Sequence, residues 1–257
     1  MARRPVALAL LAGAAFVVAA ADAPGQPPDP ALGERVFREH CAVCHGAAGD
    51  GAGMAAHHFT HRPRDLTKGR FKFRSTASGQ VPTDADLRRT IARGVPGTGM
   101  VPQDHLSPAE LDAVVAVVKG LSPRFAAGPP KTLAIPPQPP LVPQTIARGR
   151  KAYEKGECAE CHGREARGDG PSAKDLSIEP SDLTRRPLKS GPHARDIVRT
   201  LLTGLDGTPM PSYHQVLEDD ELWDLAYYVD SLGGAPEVTA DERAGWHVVR
   251  MHQHRAR

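Results

Sequence analysis

The chain has 257 residues, 40% hydrophobic and 24% charged, with a formal net charge of +2. That composition excludes a disordered chain, and the near-neutral charge gives no footing for nucleic-acid or other polyanion binding. The length allows one large domain or two small ones, yet aromatic residues make up only 5%, thin for two unaided cores unless something besides side chains fills them.

At the N-terminus, Arg3 and Arg4 precede an uncharged Ala/Leu/Val run from Val6 to Ala21, and Ala19-Ala20-Ala21 offers small residues for cleavage before Asp22. The pattern predicts a secretory signal peptide over residues 1–21. The rival is an uncleaved anchor, but the apolar run of about 16 residues is short of the roughly 20 that span a bilayer. No Cys lies near the cleavage point, so a lipid anchor there is not expected. A periplasmic protein is expected, meeting a membrane only through a partner or an uncleaved N-terminus.

Next comes the first of two matching segments. Asp29 caps a helix that opens with Pro30 and carries Leu32, Val36 and Phe37 toward Cys41. Cys41-Ala42-Val43-Cys44-His45-Gly46 follows, then Gly49-Asp50-Gly51, then Pro63-Arg64-Asp65-Leu66-Thr67. Thr83 caps a predicted helix over residues 84–93, which Gly94 ends. Gly97-Thr98-Gly99-Met100 leads to Ser107-Pro108-Ala109-Glu110, a capping box. It opens a helix with Leu111, Val114, Val115 and Val118 on one face. The second copy repeats the order: Gly149 to Tyr153, Cys158-Ala159-Glu160-Cys161-His162-Gly163, Gly168-Asp169-Gly170, Pro180-Ser181-Asp182-Leu183-Thr184, Gly207-Thr208-Pro209-Met210, and a stripe of Leu222, Leu225, Val229 and Leu232. An ordered set of matches marks a duplicated unit of roughly 90 residues. Residues 126–144 between the copies hold seven prolines, which predicts an extended linker. Its Leu133, Ile135, Leu141 and Val142 are expected to lie against the domains. Convincing strands are absent.

All four cysteines fall in the two Cys-x-x-Cys-His pentads, a signature of covalent haem attachment. Two thiols one helical turn apart reach the two vinyl groups of one porphyrin as thioethers, and His45 or His162 then stands under the iron. One zinc shared by both pairs would need them within about 15–20 residues, and here they lie in separate copies. A thioredoxin-like pair needs a βαβ context that is absent, and a local disulfide leaves the His unexplained. Met100 and Met210 hold matching positions and are the candidate sixth ligands, because thioether sulfur favours ferrous iron; core packing is the ordinary alternative. Met54, His57, His58, His61, His105, His193 and His214 have no repeated position and read as surface residues. The carbonyl of Pro63 or Pro180 is a candidate acceptor for the histidine Nδ1–H.

On these motifs both copies resemble class I c-type cytochrome domains, and residues 30–234 resemble a tandem di-haem periplasmic cytochrome c. The resemblance implies an all-α fold and two covalently bound haem c groups. It places cytochrome domains at 30–125 and 145–234, the linker at 126–144, and an unexplained tail at 235–257. It also implies that the first and last helices of each domain cross through Gly33 with Phe37 and Gly149 with Tyr153. Cofactor attachment falls to Cys41, Cys44, Cys158 and Cys161, iron ligation to His45, Met100, His162 and Met210, and no residue is catalytic. The implied role is single-electron transfer between redox proteins such as a dehydrogenase, a quinol-oxidising complex or a terminal oxidase. The alternatives are a cytochrome subunit of a membrane-associated dehydrogenase or oxidase complex and, behind it, a di-haem peroxidase. Residues 31–125 hold 13 Lys+Arg against 9 Asp+Glu, and residues 145–234 hold 12 against 16, giving +4 and −4. Much of the first excess lies in Arg62, Arg64, Lys68, Arg70, Lys72 and Arg74, a run expected to dock an acidic partner.

Overall fold

The computed structural model describes residues 27–233. The expected signal peptide and the 235–257 tail lie outside the described residues. Among the described residues the regular structure is helical, with only isolated β-bridges beside it.

In the first copy, α1 (Pro30–Val36) starts where the Asp29 carboxylate accepts from the Ala31 N–H at 2.9 Å. The helix runs on through a π-helical stretch, Phe37–Cys41, into α2 (Ala42–His45). α3 (Asp84–Arg93) and α4 (Pro108–Gly120) both open on capping boxes, Thr83 with Asp86 and Ser107 with Glu110. The second copy has α5 (Thr145–Lys155), α6 (Ala159–His162), α7 (Ala194–Thr203) and α8 (Asp219–Ser231). One residue more separates Tyr153 from Cys158 than Phe37 from Cys41. The extra residue is absorbed by a break in which Glu157 takes a positive φ of 51°.

In each copy the first helix crosses the last, α1 over α4 and α5 over α8. Glycine makes the crossing close: a Cβ on Gly33 would lie 2.4 Å from the Ala113 carbonyl oxygen, and one on Gly149 would lie 2.0 Å from that of Asp224. The cores are small and mostly aliphatic. Val36, Phe37, Leu87, Ile91, Val114 and Val118 cluster in the first; Tyr153, Ile197, Leu201, Leu222, Trp223 and Val229 cluster in the second.

The linker is held by both copies. Thr132 bridges to Thr76, and the Leu133 N–H donates to the Ser75 carbonyl at 2.8 Å. Leu133 and Ile135 pack on the second core, as the sequence predicts. Leu141 and Val142 do not: they are 62% and 38% exposed, because the chain there runs over the surface toward α5. Ala126 and Ala127 close a 3-10 turn, Pro123–Ala127, rather than extending. Proline has no N–H but keeps its carbonyl, and α8 uses it: Trp223 Nε1–H donates to Pro136 at 3.1 Å and the Tyr227 hydroxyl to Pro139 at 2.8 Å.

The two copies also dock directly. Arg74, 1% exposed, donates to the carbonyls of Thr203 and Gly204 at 2.6 and 3.4 Å and to Asp206 Oδ1 at 2.8 Å. Half-buried Lys72 faces Ser190, Arg199, Thr200 and Thr203 of the second copy. Its amine is pushed down to about 8, by burial first and then by Arg64 and Lys189. The basic run is therefore only partly a solvated docking face. Arg64, Lys72 and Arg74 turn toward the acidic second copy of the same chain, and Lys68 and Arg70 line a cleft of about 440 Å³ between the copies.

Candidate functional site

Each Cys-x-x-Cys-His pentad ends on a short helical turn, α2 or α6, that puts its two thiols on one stretch and the histidine after them. Gly46 and Gly163 then reverse the chain at φ 79° and 80°, ψ 152° and 161°, a region open in practice to glycine alone. That requirement, rather than room for a macrocycle alone, fixes glycine after each histidine.

His45 Nδ1 lies 2.9 Å from the Arg64 carbonyl and His162 Nδ1 lies 2.9 Å from the Ser181 carbonyl. A carbonyl only accepts, so Nδ1 carries the proton and Nε2 is left with its lone pair free for a metal. Burial lowers both imidazoles below the ordinary histidine value, against the opposing pull of these carbonyls. Neutral imidazole is the form that ligates. The expected acceptors, Pro63 and Pro180, are each off by one residue. Their carbonyls instead face the glycine loops, where a Cβ on Gly51 or Gly168 would lie 2.6 Å away.

That loop also corrects the repeat alignment. The Gly51 N–H donates to the His45 carbonyl and the Gly168 N–H to that of His162, both at 2.8 Å, while Gly53 and Gly170 donate to Cys44 and Cys161. Gly51-Ala52-Gly53 is thus the counterpart of Gly168-Asp169-Gly170, and the two Gly-Asp-Gly strings are two positions out of register. Gly49 answers to Ala166, which is fully buried at φ 59°.

The cysteines are half-buried and unpaired. Burial, with Cys44 beside it, pushes the Cys41 thiol up to about 11, and burial also raises Cys158. A redox-active dithiol is favoured by a depressed thiol, and burial shifts Cys41 and Cys158 the other way. Among the described residues no three His, Cys, Asp or Glu side chains converge on a metal-sized site, so the two pairs do not form one zinc centre. Two half-buried thiols beside a neutral, carbonyl-oriented imidazole fit a covalently attached haem in each copy.

Met100 packs against the first core together with Cys41 and Ala42, and Met210 against the second with Cys158 and Ala159. Each closes the same turn. Val95 N–H donates to the Met100 carbonyl at 2.8 Å and Leu205 N–H to that of Met210 at 3.1 Å; Thr98 and Thr208 hydroxyls accept from the Met100 and Met210 N–H groups at 3.2 Å. Met54 is 81% exposed.

Comparison with known proteins agrees with this chemistry. The cytochrome c family model matches residues 30–122, and the model described as cytochrome C oxidase, cbb3-type, subunit III, matches residues 144–229. The chain is 30% identical over 220 residues to the cbb3-type cytochrome c oxidase subunit CcoP of Azospirillum sp. (strain B510), covering 79% of this chain and 62% of that protein. It is 28% identical to CcoP of Azospirillum brasilense, covering 79% and 61%. The chain thus spans about three fifths of these relatives. Among solved structures, a chain of the Kuenenia stuttgartiensis reducing HAO-like protein complex superposes with a TM-score of 0.76 at 41% identity, covering 79% of this chain and 96% of that one.

Proposed function

Because the chain belongs to the c-type cytochromes, as a tandem pair of class I domains carrying two covalent haems c, we propose that it relays single electrons inside a periplasmic respiratory complex. The bound haem supplies the one-electron ferric/ferrous couple. Cys41 with Cys44, and Cys158 with Cys161, anchor one haem each through thioethers. His45 and His162 would offer Nε2 to the iron, held in that tautomer by the Arg64 and Ser181 carbonyls. Met100 and Met210 would offer their thioether sulfurs to the iron, which would raise the potential. A methionine at both matching positions would leave neither iron open to peroxide.

The observation that carries this reading is the repetition of one chemistry: paired thiols, a carbonyl-bound imidazole and a threonine-locked methionine turn, each against one apolar cluster. The signal-like N-terminus supports export. The relatives named as oxidase subunits and as part of a complex support a subunit role over a freely diffusing carrier. Among the described residues no helix is long and apolar enough to cross a membrane, so attachment to a complex would run through a partner or through segments outside them. An optical redox titration of the holoprotein should resolve two one-electron steps, and salt-washed membranes of the native cell should retain the protein. Complete release by salt would leave a free carrier; a single step carrying one electron would refute the relay.

A further inference from the structure

Resting on the reading of Met210 as an iron ligand, we propose that Arg74 of the first domain is a positioning residue for the second haem, clamping the turn that presents Met210.

The two methionine turns are alike in their internal bonds, as described above, and unlike in what holds them from outside. At the second position of the Met210 turn stands Asp206, where the Met100 turn has Pro96. Asp206 is occupied by the first domain. Oδ1 accepts from Arg74 Nη2 at 2.8 Å, from the Ser78 hydroxyl at 3.1 Å and from the Gly79 N–H at 3.2 Å, and Oδ2 accepts from the same Gly79 N–H at 3.0 Å. The Arg74 guanidinium meanwhile takes the Thr203 and Gly204 carbonyls, where α7 ends and the turn begins. A cation at a helix C-terminus meets the negative end of the helix dipole, and here it is fully buried and charge-paired.

Among the described residues the clamp runs in one direction. The segment that supplies it runs from the histidine-bound carbonyl to the capping aspartate. It is seven residues longer in the first domain (64 to 86) than in the second (181 to 196). The position of Arg74, ten residues past that carbonyl, is Gly191 in the second copy. No second-domain side chain can return the favour through that position. The Met100 turn instead meets the Phe59 ring of its own domain, at Gly99.

The test uses the full-length holoprotein in two parents. In Met100→Ala the weak near-infrared sulfur-to-iron band of the ferric protein reports Met210 alone; in Met210→Ala it reports Met100 alone. Imidazole is titrated against the band. Adding Asp206→Asn to the first parent should lower the imidazole concentration that displaces the methionine about tenfold, the weight of a lost charge-assisted bond. Arg74→Gln should do at least as much, and Arg74→Lys should recover part of it. The same substitutions in the Met210→Ala parent should leave the midpoint unmoved. Should Arg74→Gln fail to mature, Asp206→Asn carries the comparison with the arginine in place. An equal shift in both parents, or none in the first, overturns the clamp. A Met100→Ala parent with no band at all refutes Met210 ligation itself, and the clamp with it.

Discussion

The carbonyl oxygen of Asp224 stands 2.0 Å from where a Cβ on Gly149 would sit, and the Asp224 carboxylate, 5% exposed, is gripped by the neighbouring Arg148 through Nε at 2.5 Å and Nη2 at 2.8 Å. Backbone contact and ion pair together fix how α5 crosses α8. Gly149→Ala must push the helices apart or bend one, at a cost of about 2–3 kcal/mol. The urea midpoint of the holoprotein should fall accordingly; an unchanged midpoint would mean the crossing has slack that the structure does not show.

Removing Arg148 tests the other half of the crossing. Arg148→Ala leaves the buried Asp224 carboxylate without its partner and should lower the urea midpoint, by less than a fully buried pair would because the arginine is half exposed and solvent screens it. Arg148→Ala combined with Asp224→Asn should recover most of that loss, because the unpaired charge is gone. A double variant no more stable than the single would show that the loss comes from arginine packing.

Met100→Ala should halve the ferric near-infrared sulfur band and open the first haem to external ligands, while both haems stay attached through acid–acetone extraction. Met54→Ala should change neither. A full band in Met100→Ala would remove Met100 as a ligand.

Asp86 predicts a pH dependence. Burial works to raise its carboxyl, but bonds from the Ser75 N–H, Arg89, the Thr83 N–H and the Ser75 hydroxyl outweigh that and hold it below the usual aspartate value. A carboxyl lowered in the folded state contributes stability in full above its unfolded value of about 3.9, and that contribution is lost as pH falls through the folded value. Asp86→Asn should therefore lower the urea midpoint clearly at pH 7, and the gap to wild type should begin to narrow below about pH 4 and go on closing as pH falls through the folded value. A gap that stays constant down to pH 3 would contradict the assignment.

Lys68 and Arg70 remain turned outward from the basic run, the Lys68 side chain 72% exposed. Lys68→Glu with Arg70→Glu should slow association with an acidic redox partner at low salt and flatten its salt dependence, leaving both haem spectra unchanged. An unaltered rate at low salt would leave these residues as plain solvated surface.

Much of this was legible from the chain alone. The pentads, the methionine pair, the Asp29, Thr83 and Ser107 caps and the helices they open are local patterns, and local patterns survive in a one-dimensional reading. What escaped depended on register or distance. The two Gly-Asp-Gly strings match by letter but not in register, because the backbone demands glycine at Gly51 and Gly168, while Asp50 and Asp169 bring a carboxylate oxygen to Gly46 and Gly163 from positions two apart. The same one-letter pull suggested Pro63 and Pro180, whereas the carbonyls aimed at the imidazoles belong to the next residues. Arg74 belongs to a run that the sequence assigns to docking an acidic partner; its own partners lie in the same chain some 130 positions away, beyond any periodicity. The π-helical stretch at Phe37–Cys41 has no signal except the one-residue difference in spacing between the copies.

The proline segment has a kinetic consequence. Since Thr132 is tied to one domain, and Pro136 and Pro139 carry hydrogen bonds from α8 of the other, almost no slack remains for the domains to swing apart and re-meet. Electron exchange between the two haems should then proceed across a gap of constant width, as conduction rather than as collision. Its rate should be insensitive to solvent viscosity, while the encounter with any external partner slows as glycerol is added.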